Sequence, residues 1–434
     1  MYDASAQLRK LTVQRKCLMR VALSNEVYQK KTRNALLLSN ILGEPLFTVY
    51  GFIAFILCKD LGATAFQIAI LTMLKPLVSI FSFYWSSGLS KNKGRLRSNL
   101  IWAGILGRLP FLFFPLIQDP WFVIAASAIY MLFYRAGTPA WIEILKLNLP
   151  TKVREKTFSF GYVLSYVENM ILSLGIGALL DQNPNIWQIL FFGSALFGMA
   201  SLYIFARMPI NHQEQPNEEA VPKDSLKDFF LKPWKNSWDL MQNRRDFSLF
   251  QWGFMLCGFG IMLIQPAVPL FLVKWLHLSY MDFGIALSLC KGLGIALSSS
   301  FWARLMPKIP IFKMSSLVFI LVGCFPVFLL LAPLHIGWLY LAYAFYGIAQ
   351  GGSHLLWNLS GASFAGKEDS SLFSGVNVVM VGLRGAVAPP LGGFLCVLLG
   401  PLMVLFLGVF FCFYSGYFLL RKRSLAAQTA DTSS

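Results

Sequence analysis

A chain of 434 residues with 56% apolar and only 13% charged residues departs from the average soluble protein, in which about 25% of residues are charged. This composition indicates a polytopic membrane protein. The net charge of +17 lies in short loops between apolar runs, which argues against nucleic-acid binding. Seven cysteines without a CxxC pair argue against a disulfide framework or a zinc site.

The first segment, residues 1–34, is polar and basic. It contains no apolar run long enough for a signal peptide, so no cleaved signal is visible. Leu8, Leu11, Leu18 and Val21 recur at loosely helical spacing. That pattern is typical of a helix on the inner membrane surface.

Twelve runs of mostly apolar residues follow, each long enough to cross a bilayer as a helix. In the first half these predicted spans are residues 35–57, 66–87, 99–117, 121–145, 158–180 and 186–206. In the second half they are residues 247–273, 283–303, 314–332, 336–361, 372–399 and 401–420. We therefore predict an all-α membrane protein with two six-helix halves, residues 35–206 and 247–420.

Residues 207–246 form a long polar linker between the halves, and residues 421–434 form a tail. The linker begins with a polar, proline-containing run that has no means of burying a core. Apolar residues then recur every three or four positions among lysines: Leu226, Phe229, Phe230, Trp234, Trp238 and Met241. This spacing favours an interfacial helix that anchors the linker at the membrane surface.

Lysine and arginine are distributed unevenly between alternate loops. If the N-terminus lies inside, the inner segments hold thirty of them and the outer loops hold two, Lys59 and Lys274. The positive-inside rule then places both termini in the cytoplasm. We expect a multi-pass protein of the cytoplasmic (inner) or plasma membrane.

The layout of six spans, a linker and six more spans suggests an internal duplication. Aligning Gly137 with Gly351 brings the fourth and fifth spans onto the tenth and eleventh without a gap. Aligning Lys75 with Lys291 brings the second span onto the eighth. A membrane-embedded lysine at matching places in both halves supports the duplication.

Short motifs add to this layout. The loop after the second span, GLSKNKGRLR, resembles a signature loop in which an acid precedes a Gly-Arg pair. Gly94 and Arg95 match that pair, and Lys91 stands in place of the acid. In the eleventh span, residues 388–393 (APPLGG) resemble a GPxxGG signature, and Arg135 stands where an arginine is common in the fourth span. By layout and motifs the chain resembles the major facilitator superfamily of secondary transporters over nearly its whole length.

The resemblance implies two bundles of parallel repeats that rock about a solute site at the midplane between them. It also implies an inner gate at the loop after the second span, for which Gly88, Gly94, Arg95 and Arg97 are candidates. As a symporter or antiporter of this kind, the protein is expected to work as a monomer without a metal or cofactor.

Eight charged residues lie within the predicted spans: Glu44, Lys75, Arg108, Arg135, Glu143, Glu168, Lys291 and Arg384. An isolated charge at mid-depth costs about 2.5 to 3.5 kcal/mol, so such residues tend to be paired or to face a polar cavity. By depth, Glu44 matches Lys75 and Arg135 matches Glu168. Each pair is a candidate part of a solute pathway or a buried bridge that orients helices.

Removing both pairs leaves Lys291, Arg384 and Arg108 uncompensated. The third span packs peripherally in the resembled family, so Arg108 is expected to make a structural contact. The remaining surplus predicts a positive cavity and a small anionic solute, such as a phosphorylated or carboxylated metabolite.

The cavity of the resembled family is lined by the first, fourth, seventh and tenth spans. Further candidates there are Asn40, Tyr134, Gln265, Gln350, His354, Trp357 and Asn358, each with packing as the alternative role. His354 is a candidate proton carrier or a neutral histidine bonded across helices. Glu44 and Glu168 are candidate proton-coupling acids, whereas exchange for a counter-anion needs no titrating acid.

One motif resembles a phosphate-binding loop but does not match it fully. Residues 361–367 (GASFAGK) fit the start of a phosphate-binding loop, but Glu368 replaces the required Ser or Thr and an apolar helix precedes it, which excludes ATP hydrolysis. Short outer loops disfavour a membrane-embedded transferase. The sequence thus predicts a secondary active transporter and no enzyme. The alternatives are a drug or lipid exporter, or a non-transporting receptor or assembly factor on the same scaffold.

Overall fold

The computed structural model describes the backbone of residues 2–86, 95–208, 235, 237–365 and 370–431. Within these ranges, the side chains of residues 2–25, 79–84, 86, 159, 358, 359, 362, 370, 371, 374 and 422–431 are not described. Gly88, Lys91, Gly94, most of the linker and the side chain of Asn358 therefore lie outside the described residues. The described part of the chain is helical and contains no strand.

Seven α-helices form the first half of the described chain. They are α1 (Tyr2–Gly51), α2 (Ile53–Lys59), α3 (Ala65–Ser86), α4 (Leu96–Arg108), α5 (Pro120–Asn148), α6 (Thr151–Gln182) and α7 (Trp187–Ala206). Short 3₁₀ turns follow α4 at Leu109–Phe113 and precede α7 at Pro184–Ile186.

The second half is built from α8 (Arg245–Ile264), α9 (Ala267–Lys274), α10 (Tyr280–Gly284), α11 (Lys291–Leu305), α12 (Ile311–Leu331), α13 (Gly337–Ala365) and α14 (Ser370–Asp431). A π-helical turn, Ile285–Cys290, joins α10 to α11. The direction of α14 changes at Gly400, which has φ 79° and ψ 161°. Glycine adopts this conformation without the steric penalty of a side chain.

Each of the twelve predicted spans overlaps one of these helices. In the part of the chain that the structure describes, eight helical stretches are long and apolar enough to cross a membrane. One of the eight, Gly375–Arg421, contains most of the last two predicted spans. The all-helical membrane fold is confirmed, whereas the count of twelve crossings stays a prediction.

The two halves meet along two pairs of helices. Helix α6 lies so close to α10 that a Cβ atom on Gly284 would come within 2.9 Å of the carbonyl oxygen of Ser173. Helix α3 approaches α14 similarly, because Gly393 lies directly against Ala69. Small residues at these crossings allow the helix backbones to approach closely.

An apolar cluster also joins the halves at the far end, which we define as the end where α2 finishes and α10 begins. Phe55 stacks on Phe283 with ring centres 4.6 Å apart, and it meets the edge of Tyr280 at 5.1 Å. Phe52 adds an edge contact to Phe283 at 5.5 Å. Aromatic pairs of this geometry stabilise an interface beyond their buried area.

The duplication is visible in the backbone of two loops at the far end. After α2, Gly62 has φ 60°, and the next amide donates to the carbonyl of Leu57 at 2.8 Å. After α9, His277 has φ 46°, and the next amide donates to the carbonyl of Leu272 at 3.1 Å. The difference in residue number between Gly62 and His277 equals the difference between Leu57 and Leu272. The same turn therefore ends the first span of each half.

Candidate functional site

Four basic side chains come together where the two halves face each other at mid-depth. Lys75 on α3 is close enough to Arg135 on α5 and to Lys291 on α11 for the charges to repel. His354 on α13 is within the same range of both lysines. We call Lys75, Arg135, Lys291 and His354 the basic cluster. All four were predicted as solute-binding residues, and the structure brings them together.

The basic cluster lines an open gap. Lys75, Arg135 and His354 are exposed and Lys291 is half-buried, although all four lie within the predicted spans. Side chains in a closed interface would be buried, so the space between the halves is open at this depth.

Lys291 is held by α13. Its Nζ lies 5.2 Å from the centre of the Tyr346 ring, which is a cation–π contact. Its carbonyl oxygen lies directly over Gly347, so that any Cβ at that position would clash. The backbone and the ammonium group of Lys291 are thus both held against α13.

The structure corrects both ion pairs expected from depth. Glu44 accepts a hydrogen bond from the amide of Asn169 at 3.2 Å, and that amide also donates to the Thr48 hydroxyl at 2.9 Å. One oxygen of Glu168 is buried without a hydrogen-bond partner among the described residues. Matching depth does not fix the direction of a side chain, because each residue turns a helix by about 100°.

The ion pairs among the described residues are Lys59–Asp181, Lys146–Glu143 and Arg244–Asp246. Within the ranges that the structure covers, neither Arg135 nor Lys291 has a carboxylate at ion-pair distance. Arg135 and Lys291 therefore keep positive charges that the described carboxylates do not neutralise.

The two acids, Glu44 on α1 and Glu168 on α6, lie near each other where these helices pack together. Tyr134 interacts electrostatically with both Glu44 and Arg135, so it lies near an acid and near the basic cluster. Its ring stacks on Phe47 with centres 6.3 Å apart and is 54% exposed. Asn169 was missed by the sequence analysis, although it is an amide next to Glu168 inside a predicted span. The solute-binding role of Tyr134 stays a prediction.

Arg384 does not join the basic cluster. Its Nη1 donates to the carbonyl of Phe254 at 2.7 Å, and its guanidinium lies 4.6 Å from the centre of the Phe254 ring. The group is packed so tightly over Gly258 that a Cβ there would clash, and the side chain is only 9% exposed. Arg384 was predicted as a solute-binding residue of the positive cavity, but it turns from α14 towards α8 within its own half and does not join the basic cluster.

Arg108 makes the structural contact that was expected. Its Nη1 donates to the carbonyl of Gly104 at 3.2 Å, one turn earlier on α4. Its Nε would lie 2.5 Å from a Cβ on Gly198, so the side chain fills a groove against α7.

Of the remaining predicted residues, some lie on described helices and some lie outside the described chain. Gln350 is on α13, half-buried, and its side-chain oxygen has no hydrogen-bond partner among the described residues. Arg95 is exposed just before α4, and Arg97 donates to the carbonyl of Ala206 at 3.3 Å. Gly88 and Gly94 are outside the described residues, so the gating role of this loop stays a prediction.

The sequence analysis missed a polar network that joins the halves at the far end. Both carboxylate oxygens of Asp181, at the end of α6, accept hydrogen bonds from backbone amides at 2.8 Å. The amides belong to Tyr280 and Met281, the first residues of α10 in the other half. A carboxylate at a helix N-terminus satisfies free amides and is favoured by the helix dipole.

Lys59, the last residue of α2, and Asp60, which follows it, complete this network. The Tyr280 hydroxyl donates to Asp60 at 2.6 Å. Lys59 donates to the carbonyl of Leu278 at 2.9 Å, and its Nζ lies 4.5 Å from the centre of the Tyr280 ring. Burial raises the pKa of Asp60, and the hydrogen bond from Tyr280 opposes that rise. We call Lys59, Asp60, Asp181 and Tyr280 the far-end latch, which closes the gap on this side.

A family model described as Major Facilitator Superfamily matches residues 36–389. The chain belongs to this superfamily. It is therefore a multi-pass membrane transporter and not an enzyme. A search of the curated proteins found no match.

Solved structures of the superfamily share the fold at low identity. A nucleoside transporter, NupG, superposes with a TM-score of 0.64 at 12% identity, over 91% of this chain and 98% of that one. A peptide transporter, POT, in complex with sulfate gives 0.69 at 13% identity, over 92% and 95%. An inward-facing, unoccupied bacterial homologue of the human lysosomal transporter Spinster gives 0.61 at 14% identity, over 93% and 97%. At these identities the likeness establishes the fold alone.

Proposed function

We propose that this protein is a secondary active transporter that moves a small solute with an anionic group by alternating access. The observation that carries the proposal is the basic cluster, in which Lys75, Arg135, Lys291 and His354 face one open gap between the halves. Charges of one sign repel each other, so an arrangement of this kind is most stable when an anion binds among them.

The energetic argument concerns Arg135 and Lys291. A charge at mid-depth costs about 2.5 to 3.5 kcal/mol on insertion scales. Since no described carboxylate offsets this cost, we infer that both side chains are retained to bind a solute. Guanidinium and ammonium groups are the usual ligands of carboxylates and phosphates in proteins.

The neighbouring structures support an anionic group without identifying the solute. One POT structure holds sulfate and another holds 5-aminolevulinic acid. Sulfate is an anion, and 5-aminolevulinic acid carries a carboxylate. A nucleoside transporter shares the same fold, so the fold itself does not select the solute.

We propose Glu44 and Glu168 as the coupling acids, because they lie close together on neighbouring helices and Tyr134 lies near both Glu44 and Arg135 of the basic cluster. In this scheme a proton taken up by the acids balances the charge of the solute. Exchange for a counter-anion is the competing scheme, in which Glu44→Gln leaves transport unchanged. The inner or plasma membrane, with both termini in the cytoplasm, is the proposed location.

The test begins with a ligand screen. Purified protein is heated with metabolites of different classes, since a ligand that binds the folded state raises the unfolding temperature by mass action. We expect stabilisation by carboxylates or phosphates. Stabilisation by apolar cations alone would overturn the anionic assignment and favour a drug exporter.

Uptake of the best ligand into proteoliposomes then tests the residues. Lys291→Gln should abolish uptake and ligand stabilisation, because it removes a positive group that faces the gap. Arg304→Gln is the matched control, since Arg304 is an exposed cation on the same helix, α11, at its other end. Equal uptake by both variants would contradict the proposed site. Ligand binding without any uptake would instead indicate a receptor on this scaffold.

A further inference from the structure

The two lysines of the basic cluster lie at different distances from the start of their helices. Thr64 caps α3, and its hydroxyl accepts from the amide three residues later. Ser279 caps α10 in the same way. Counted from these caps, Lys291 lies one position further along the chain than Lys75 does. The second half therefore has one extra residue before its lysine.

One extra residue matters because it changes the direction of every later side chain. In a regular α-helix each residue adds a turn of about 100°. If the helix from Ser279 were regular throughout, Lys291 would point about 100° away from the direction that Lys75 takes in its own half. It would then face away from the gap.

The π-helical turn, Ile285–Cys290, lies between the cap and Lys291. Such a turn accommodates one additional residue inside an otherwise regular helix, and such turns are frequent at functional sites. The residue numbers of the two halves show the same extra position. Lys75 and Lys291 are one position further apart in the chain than Gly62 and His277 are. Helix α3, by contrast, is one α-helix from Ala65 to Ser86 and has no such turn.

Packing on both sides of the turn prevents the extra residue from being absorbed elsewhere. Before the turn, Asp181 holds the first amides of α10, and Gly284 lies against Ser173. After the turn, the carbonyl of Lys291 lies against Gly347. These contacts hold the natural register of the helix on both sides, so its one extra residue is taken up in the turn between them.

We infer that the π-helical turn Ile285–Cys290 is a positioning element that directs Lys291 into the basic cluster. The turn itself binds no solute. The inference rests on the proposed function only where it says what Lys291 is positioned for, namely the anionic group of the solute. The direction of Lys291 can be tested without any solute.

Three variants test the geometry. Deleting Leu289, within the turn, should restore a regular helix with the spacing of the first half and keep Lys291 in the cluster. Inserting one alanine after Leu289 should rotate Lys291 out of the cluster. Deleting Met73, which matches Leu289 when Lys75 is aligned with Lys291, should rotate Lys75 out instead.

The first readout is cross-linking, which needs no transport. Lys75→Cys and Lys291→Cys are combined in each background and treated with a short bifunctional thiol reagent, with Lys75→Cys alone as the control for native cysteines. We expect the cross-link with the natural turn and with the Leu289 deletion, and its loss with the insertion and with the Met73 deletion. An insertion that cross-links normally, or a Leu289 deletion that loses the cross-link or fails to fold, overturns the inference.

The second readout is uptake of the ligand found in the screen. The Leu289 deletion should keep the half-maximal solute concentration nearly unchanged, whereas the insertion should raise it by about tenfold or more. If Lys291→Gln leaves uptake intact while the cross-linking pattern is as expected, the proposed function fails and the positioning role stands. If uptake depends on Lys291 but the insertion does not affect it, the positioning role fails alone.

Discussion

The far-end latch and the basic cluster are both polar sites between the same two halves, and they differ in how their charges are satisfied. At the latch, the carboxylate of Asp181 accepts two amides, and the hydroxyl of Tyr280 reaches Asp60. In the cluster, cations face cations across an open gap. A network whose members satisfy one another holds two surfaces together, whereas groups of like charge that repel one another favour an opposite charge bound between them. The latch therefore has the features of a contact that closes one side, and the cluster has those of a binding site.

Giving the cluster its own carboxylate should have the largest effect. In His354→Glu, the new acid would lie near Lys75 and Lys291 and repel an anionic solute, and a like charge across a contact costs several kcal/mol. We expect solute binding to weaken by about a hundredfold or more, with a higher unfolding temperature in the absence of ligand. Ligand titration by thermal unfolding measures both.

The matched control is His354→Gln, which removes the imidazole without adding charge. It should weaken binding far less than His354→Glu. Similar binding by the two variants would show that the charge of the cluster does not select the solute.

Breaking the latch should have the next largest effect. Asp181→Ala leaves the first amides of α10 unsatisfied and should lower the free energy of unfolding by about 1 kcal/mol. It should also open the far end, so that the buried thiol of Cys58 in α2 reacts faster with a labelling reagent. Mass spectrometry of the labelled peptide measures that rate.

Asp119→Ala is the control for Asp181→Ala. Asp119 caps α5 by accepting the amide of Phe122 at 2.9 Å, entirely within the first half. Its loss should reduce stability by a similar amount and leave the labelling of Cys58 unchanged. Equal labelling in both variants would contradict a role for Asp181 in closing the gap.

Removing one hydroxyl from the latch should have a smaller effect. Tyr280→Phe deletes the hydrogen bond to Asp60 and should lower stability by about 0.5 to 1.5 kcal/mol, with labelling of Cys58 between the natural rate and that of Asp181→Ala. Tyr340→Phe is the control, because its hydroxyl bonds Asp282 within the second half at 2.7 Å. Faster labelling in the control would show that the two hydrogen bonds are equivalent.

Arg384→Met should have the smallest effect on binding. Arg384 is a mid-depth cation like Lys291, but it contacts Phe254 inside its own half. We expect the half-maximal solute concentration to stay unchanged even if the unfolding temperature moves. A loss of binding as large as that of Lys291→Gln would place Arg384 back in the site.

The sequence predicted the membrane fold and the members of the basic cluster because both depend on depth and periodicity. Lys75, Arg135, Lys291 and His354 are charged or titratable groups inside apolar runs, and such residues tend to face a cavity. The pairing of Glu44 with Lys75 was wrong because depth does not give rotation about the helix axis. Arg384 was misplaced for the same reason.

The latch was missed because its bonds join residues far apart in the chain. Asp181 and Tyr280 are 99 positions apart, and neither belongs to a recognisable motif. The extra residue of the π-helical turn can be seen in the sequence. The alignment of the two halves that pairs Lys75 with Lys291 is shifted by one position from the alignment that pairs Gly62 with His277 in the preceding loops. Such a displacement between the halves indicates an insertion, but only the backbone reveals how it is accommodated.

The left-handed turn at Gly62 and His277 has a practical consequence for comparing the two halves. Because it occurs at the same place in both, it gives a common starting point from which the residues of one half can be numbered against those of the other. From that point the second half has one residue more before Lys291 than the first half has before Lys75. Side chains beyond the π-helical turn are therefore matched by shifting the numbering of the second half by one position.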